Sequence, residues 1–170
     1  NLVPKYQKDR ILVIFDSTAV DPLGAGYNLN QSKIAIGSGG FSGKGFLEGT
    51  QTKYGYVPEQ STDFIFSTLA EEHGWLGSFI VIALFVVLMI RITIIAERQK
   101  FKFARFYGYA VASIIFFHFT INIAMTIGLF PVVGIPLPFF SYGGSSLWSF
   151  TIMLFVLLKM DMHRTQVLSR

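Results

Sequence analysis

GWLGSFIVIALFVVLMIRITII, residues 74–95, carries one formal charge, Arg91, near its C-terminal end. A run of about 20 apolar residues makes a helix long enough to cross a hydrocarbon core of roughly 30 Å. An arginine at its edge can reach the interface along its alkyl stem. This stretch puts the chain in a bilayer, and two further spans follow by the same reading. Phe106–Phe130 has no formal charge, and Leu147–Met160 is apolar up to Lys159 and can span if its helix begins within Gly143–Ser146. Between them lies PVVGIPLPFFSYGGSS, residues 131–146, whose three prolines and three glycines argue against a regular helix. The expected fold is an all-α polytopic membrane protein: three transmembrane helices preceded by a large extracytoplasmic glycine-rich loop with short helical or interfacial segments. The expected division is residues 1–73 for the loop region and 74–170 for the membrane region.

Composition agrees, with 52% hydrophobic and 14% charged residues and a mean hydropathy of +0.52. The net charge of +4 does not call for nucleic acid, because the basic residues cluster beside the spans, where membrane topology accounts for them. Residues 97–105, ERQKFKFAR, hold four Lys or Arg against one acid, and the tail after Lys159 is also basic. Three spans place the start and the tail on opposite sides. The positive-inside rule then assigns 97–105 and the C-terminus to the cytoplasm, and 1–73 and 131–146 to the outer face. The chain begins at Asn1 without a signal-peptide pattern and is expected to be the C-terminal piece of a longer protein. The lack of cysteine excludes disulfides, thiolate chemistry and Cys-based zinc sites.

Upstream of the spans, the apolar run Ile11–Phe15 is too short to cross a membrane and reads as strand-like or interfacial, with Asp21-Pro22 as a turn. Residues 24–49 are rich in glycine. Gly37, Gly39, Gly40, Gly43 and Gly45 permit either a flexible loop or a cradle of backbone N–H groups for a phosphate, to which Lys33 and Lys44 would add charge. GSGGFSGKG lacks the spacing of a nucleotide-binding P-loop.

The chemistry concentrates in YVPEQSTDFIFSTLAEE, residues 56–72. Asp63 stands where polar sequence gives way to a long apolar run, and a carboxylate there needs water, a partner or a task. Ser61 or Thr62 could cap a helix starting at this point, with Asp63 favouring its positive end. Asp63 could equally act as a general base, and the two roles are compatible. Glu71 and Glu72 read as solvated acids near a helix start. Glu71 is about 80° around a regular helix from Asp63, so the two need not converge. Glu59 precedes the helix and could reach the same pocket as Asp63. His118, Asn122 and Thr126 form a polar stripe at i, i+4, i+8, which suits hydrogen bonding to a neighbouring helix more than the alternative, direct contact with a substrate. A lone histidine without a second ligand at metal spacing gives no intrinsic metal site.

Three strings together carry a resemblance: IAIGSGGFSGKGFLEGTQ (34–51), YVPEQSTDFIFSTLAEEHGWLG (56–77) and NIAMTIGLFPVVGIPLPFFSYGGSS (122–146). They resemble, in the same order, the C-terminal part of the SEDS family, which includes RodA and FtsW; GSGG at 37–40 and GTQ at 49–51 look more like the RodA branch. The resemblance implies a multi-pass protein of the bacterial inner membrane with about ten helices, of which this chain would hold the last three. It implies an inverting peptidoglycan glycosyltransferase that polymerises lipid II into β-1,4-linked glycan and releases undecaprenyl diphosphate. The family's His-Thr-Asp-Phe motif aligns its essential aspartate with Asp63, although Ser61 stands here in place of histidine. On this resemblance Asp63 is the catalytic base, and Lys33, Lys44, Gln51, Glu59 and Ser141 are substrate-binding candidates. It implies no tightly bound cofactor, with a divalent cation (Mg or Mn) possible on the diphosphate. The implied partners are lipid II, a class B penicillin-binding transpeptidase and membrane lipids. The 170-residue chain is not expected to be active alone. Two rival functions are a lipid II flippase, for which the spans carry few intramembrane charges, and a non-catalytic scaffold for the transpeptidase.

Overall fold

The computed structural model describes residues 25–166, so Ile11–Phe15 and Asp21-Pro22 fall outside the described residues. These residues form five helices and no strand: α1 Ala25–Ser38, α2 Thr50–Lys53, α3 Ile65–Glu97, α4 Lys102–Ile127 and α5 Gly144–Gln166. Helices α3, α4 and α5 are long and apolar enough to cross a membrane, as expected for a polytopic protein.

Helix α3 has 33 residues. At about 1.5 Å per residue it would run about 50 Å if straight, well beyond a hydrocarbon core. It is broken at Gly74, whose backbone (φ 65°, ψ −160°) is not helical. The expected span began at Gly74; the helix instead starts nine residues earlier, at Ile65, and Gly74 is its kink. Helix α4 ends at Gly128, whose left-handed φ of 86° provides a glycine C-cap, so it stops short of the expected Phe130. Residues 131–143 form no helix, and α5 begins at Gly144, within the expected window.

The three long helices share one core. Val81, Phe85 and Ile92 of α3 meet Val111, Ile115 and Phe119 of α4 and Phe150 and Leu157 of α5, with Leu137 of the 131–143 segment closing one end. The spacings repeat each helix face every three to four or seven residues. Phe85 and Phe119 stack with ring centroids 4.5 Å apart. In lipid, close packing rather than escape from water holds helices together, which favours small residues at the contact. Gly108 is such a point, since a β-carbon there would lie 2.6 Å from Ala96 Cβ. Leu84, Val87, Ile90, Phe116, Phe117 and Phe155 are exposed, as expected of surfaces that face lipid or further helices.

The reading of residues 24–49 as a loop is corrected over its first part, where α1 occupies Ala25–Ser38. Leu29, Ser32 and Ala35 recur on one face and are buried, and Ser32 donates a 2.8 Å hydrogen bond to the Thr126 carbonyl of α4. The glycines of this helix sit near its two ends, Gly26 and Gly37, so its middle is free to wind.

Candidate active site around Asp63

Asp63 stands on a turn just before α3. Glu59, at a positive φ of 52°, offers one carbonyl to the N–H groups of Thr62, Asp63 and Phe64 at 3.1–3.2 Å. This turn takes the place of the expected Ser61 or Thr62 cap: the N-cap is Phe64, with no side-chain hydrogen bond. The Thr62 hydroxyl turns instead to the Glu59 carbonyl (3.3 Å) and Oε2 (3.2 Å).

The turn is sewn to the 131–143 segment. Ser141 Oγ donates to the Thr62 carbonyl at 2.6 Å and accepts the Leu137 N–H at 2.7 Å. Tyr142 N–H donates to the Ser61 carbonyl at 2.8 Å. Asn122, buried on α4, donates through Nδ2 to the carbonyls of Asp63 (2.9 Å) and Ile135 (2.7 Å). The Asp63 carboxylate lies against Gly134, where a β-carbon would come within 3.1 Å of Oδ2. Asp63 is half-buried, and no group of three or more His, Asp or Glu converges as a metal site among the described residues. The side chains of the polar stripe on α4 do not hydrogen-bond to a neighbouring helix as expected: Asn122 reaches two irregular segments, the Thr126 hydroxyl bonds back to the Ile123 carbonyl of its own helix, and the buried His118 Nδ1 has no hydrogen-bond partner among the described residues. His118 packs edge-on against Phe150 of α5.

Two helical turns along α3, Glu71 is fully buried rather than solvated, which corrects the expectation for that residue. Its carboxylate accepts Lys44 Nζ at 2.7 Å, the Gln51 N–H at 2.9 Å and the Thr52 N–H at 3.0 Å. Ser38 and Thr50 hydroxyls approach to 3.4 Å. Glu72 is also largely buried and accepts the Leu47 N–H at 3.3 Å. A buried carboxylate is tolerable when charge and hydrogen bonds compensate it, and Glu71 has both.

The glycine loop is spliced into the break in α3. Lys44 and Gly45 donate their N–H groups to the Glu71 and Glu72 carbonyls (3.1 and 3.0 Å), while Trp75 and Leu76 donate theirs to the Gly40 and Phe41 carbonyls (2.9 and 3.2 Å). Backbone groups orphaned by the kink are thereby satisfied. The approach is close enough to require glycine, since β-carbons on Gly43 and Gly74 would fall 2.1 Å from the Glu72 oxygen and 2.3 Å from the Gly43 nitrogen, respectively. The loop N–H groups considered as a phosphate cradle are in this part committed to α3.

The structure thus sorts the candidates into separate places. Glu59 and Ser141 share the Asp63 turn. Lys44 and Gln51 converge instead on Glu71, and the buried Gln51 Oε1 has no hydrogen-bond partner among the described residues. Lys33 is exposed, with its side chain over Gly128 at the C-terminus of α4, where a β-carbon would lie 2.3 Å from Lys33 Cε. A cation there is favoured by the helix dipole. The sequence reading missed Gly134 and the buried role of Glu71. A carboxylate two turns inside an apolar helix, with a lysine in the preceding loop, was the available signal for Glu71. A groove of about 350 Å³, lined by Phe66, Ala70, Trp75, Phe79 and Ile127 among others, runs beside the kink and is mostly apolar.

The opposite end of the bundle is basic. Arg98, Gln99 and Asp161 bring the α3–α4 connection against the last turns of α5, with Arg98 Nε and Gln99 Nε2 each 2.9 Å from Asp161 Oδ1.

The chain is similar to known proteins. The chain is 49% identical over 146 residues to the peptidoglycan glycosyltransferase MrdB of Escherichia coli K12, covering 86% of this chain and 39% of that protein. It is 46% identical over 144 residues to the peptidoglycan glycosyltransferase RodA of Treponema pallidum, covering 85% of this chain and 33% of that protein. In a solved peptidoglycan synthase complex, described as coordinating polymerization and crosslinking, one chain superposes with a TM-score of 0.77 at 30% identity, covering 96% of this chain and 44% of that one. The chain therefore spans about two fifths of the length of the MrdB relative. The model of the FtsW/RodA/SpoVE cell cycle proteins matches residues 1–166. The chain is a multi-pass membrane protein that belongs to the FtsW/RodA/SpoVE family.

Proposed function

We propose that the full-length protein containing this chain is a peptidoglycan glycosyltransferase of the bacterial inner membrane that polymerises lipid II, with Asp63 as its general base. The observation that carries this reading is the seating of Asp63: a half-buried carboxylate on a turn clamped by Asn122, Ser141 and Tyr142, at the end of the bundle away from the basic loop. The names of the relatives support the reaction class. A hydroxyl of one lipid-linked disaccharide attacks the anomeric carbon of another. The bond from that carbon to the diphosphate oxygen breaks, undecaprenyl diphosphate leaves with the electron pair, and Asp63 takes the hydroxyl proton. Base assistance contributes about 10²–10⁴-fold, so the clamped geometry has to supply positioning as well.

Lys33 is the better-placed candidate for the diphosphate, because Lys44 is committed to Glu71. Glu59 and Ser141, beside Asp63, would act on the substrate through the turn that carries it, and Gln51 only through the Glu71 layer it helps to hold. A divalent ion on the diphosphate would draw its oxygens mainly from the diphosphate itself. The apolar groove beside Gly74 suits a polyprenyl chain. The basic end, with Arg98, Lys100, Lys102 and Arg105, is assigned to the cytoplasm, and Asp63 to the outer face. A class B transpeptidase is the proposed protein partner, consistent with the synthase complex among the structural neighbours.

The test is purified full-length protein supplied with lipid II. Wild type should yield glycan polymer and Asp63→Asn should yield none while remaining folded. Polymer from the Asp63→Asn variant refutes the base, and labelling of a cysteine at position 63 only from the cytoplasmic side refutes the topology.

A further inference from the structure

We infer that Asn122 is a positioning residue for Asp63, fixing the gap between the carboxylate and the wall formed by Gly134 and Ile135; this rests on the reading of Asp63 as the base. Asn122 is fully buried on α4, a regular helix, whereas the two segments it grips are irregular. Its single Nδ2 uses both protons, one on the carbonyl of Asp63 at 2.9 Å and one on the carbonyl of Ile135 at 2.7 Å. The amide orientation is unambiguous, because a flip would set Oδ1 against two carbonyl oxygens at those distances. Oδ1 itself has no hydrogen-bond partner among the described residues, so the donor pair is what the site uses.

The two gripped carbonyls are not arbitrary. One belongs to the base, and the other to the residue after Gly134. Gly134 holds a left-handed φ of 75°, and a β-carbon there would stand 3.1 Å from Asp63 Oδ2. The amide therefore spans the two sides of the place where a substrate hydroxyl would have to meet the carboxylate. Ser141 and Tyr142 tie the same two segments, but through Thr62 and Ser61 rather than through Asp63. They hold the turn closed, and Asn122 sets where along it the base stands.

The requirement is for two donors on one short arm. Aspartate at 122 keeps the volume but turns acceptors toward two carbonyls. Alanine removes the bridge. Glutamine keeps the donor pair on an arm one methylene longer. The experiment compares full-length wild type, Asp63→Asn, Asn122→Ala, Asn122→Asp and Asn122→Gln with lipid II, with kcat expressed per monodisperse folded protein. Displacing a catalytic group by about 1 Å costs about 10²-fold in rate. Asn122→Ala and Asn122→Asp should therefore lose about 10²-fold in kcat with KM held within about twofold, while Asn122→Gln retains more activity than either. A role in packing alone ranks the variants by volume, with Asn122→Asp near wild type, and that ranking overturns the inference. So does a change confined to KM, or an unchanged kcat per folded molecule when the variants yield less folded protein. Inactive wild type refutes instead the glycosyltransferase reading, and an active Asp63→Asn refutes the reading of Asp63, each without reference to the Asn122 variants.

Discussion

Glu71→Ala removes the acceptor on which α2 and the glycine loop are hung. Two backbone N–H groups, of Gln51 and Thr52, lose their partner, and a buried donor left unpaired costs about 1–3 kcal/mol. The Lys44 ammonium also loses its counterion. Breaking a fully buried pair costs about 3–5 kcal/mol, but the Lys44 side chain is 26% exposed and can regain water. Its share therefore falls to about 1 kcal/mol. The low end of the sum is roughly 3 kcal/mol, which corresponds to about a hundredfold change in a local opening constant. Hydrogen exchange of the full-length protein in detergent or nanodiscs reads this directly. Peptides covering Thr50–Tyr54 should exchange about 10²-fold faster, while peptides covering Val81–Ile92 keep their protection. Unchanged exchange at Gln51 and Thr52 would mean that Glu71 does not hold this layer in place. Lys44→Met should also destabilise the layer by stranding a buried carboxylate, and adding Glu71→Gln to it should restore part of the loss.

The glycines give a contrasting pair. Gly74→Ala puts a β-carbon 2.3 Å from the Gly43 nitrogen at a positive φ, and should lower thermal stability by at least about 2 kcal/mol, read as early aggregation in a detergent melting series. Gly37→Ala, with nothing within 4 Å of its β-carbon, should instead stabilise by about 0.4–1 kcal/mol. Arg98→Ala breaks an exposed pair with Asp161, and should change stability by no more than about 1 kcal/mol in the same assay. Pro136→Ala should reduce glycan synthesis more than membrane insertion, measured by polymer yield against folded protein in the membrane fraction. Equal losses would make the 131–143 segment a plain connector.

The sequence by itself determined what depends on local composition. Three apolar runs with few charges dictate three membrane helices, because no other open backbone arrangement satisfies its hydrogen bonds in hydrocarbon. Prolines and glycines between 131 and 146 dictate a break, and Asp63 was legible because a carboxylate at an apolar boundary is expensive. Whatever depends on contacts between distant segments was closed to it. Glu71 and Lys44 are 27 residues apart and Asn122 and Asp63 are 59 apart, and no periodicity links such pairs. Nor could spacing show that the glycine loop fills the break in α3, since its glycines serve close approach to another backbone as readily as to a phosphate. Only the tertiary structure decided which acid is solvated and which is buried, because burial belongs to the packed assembly and not to the residue.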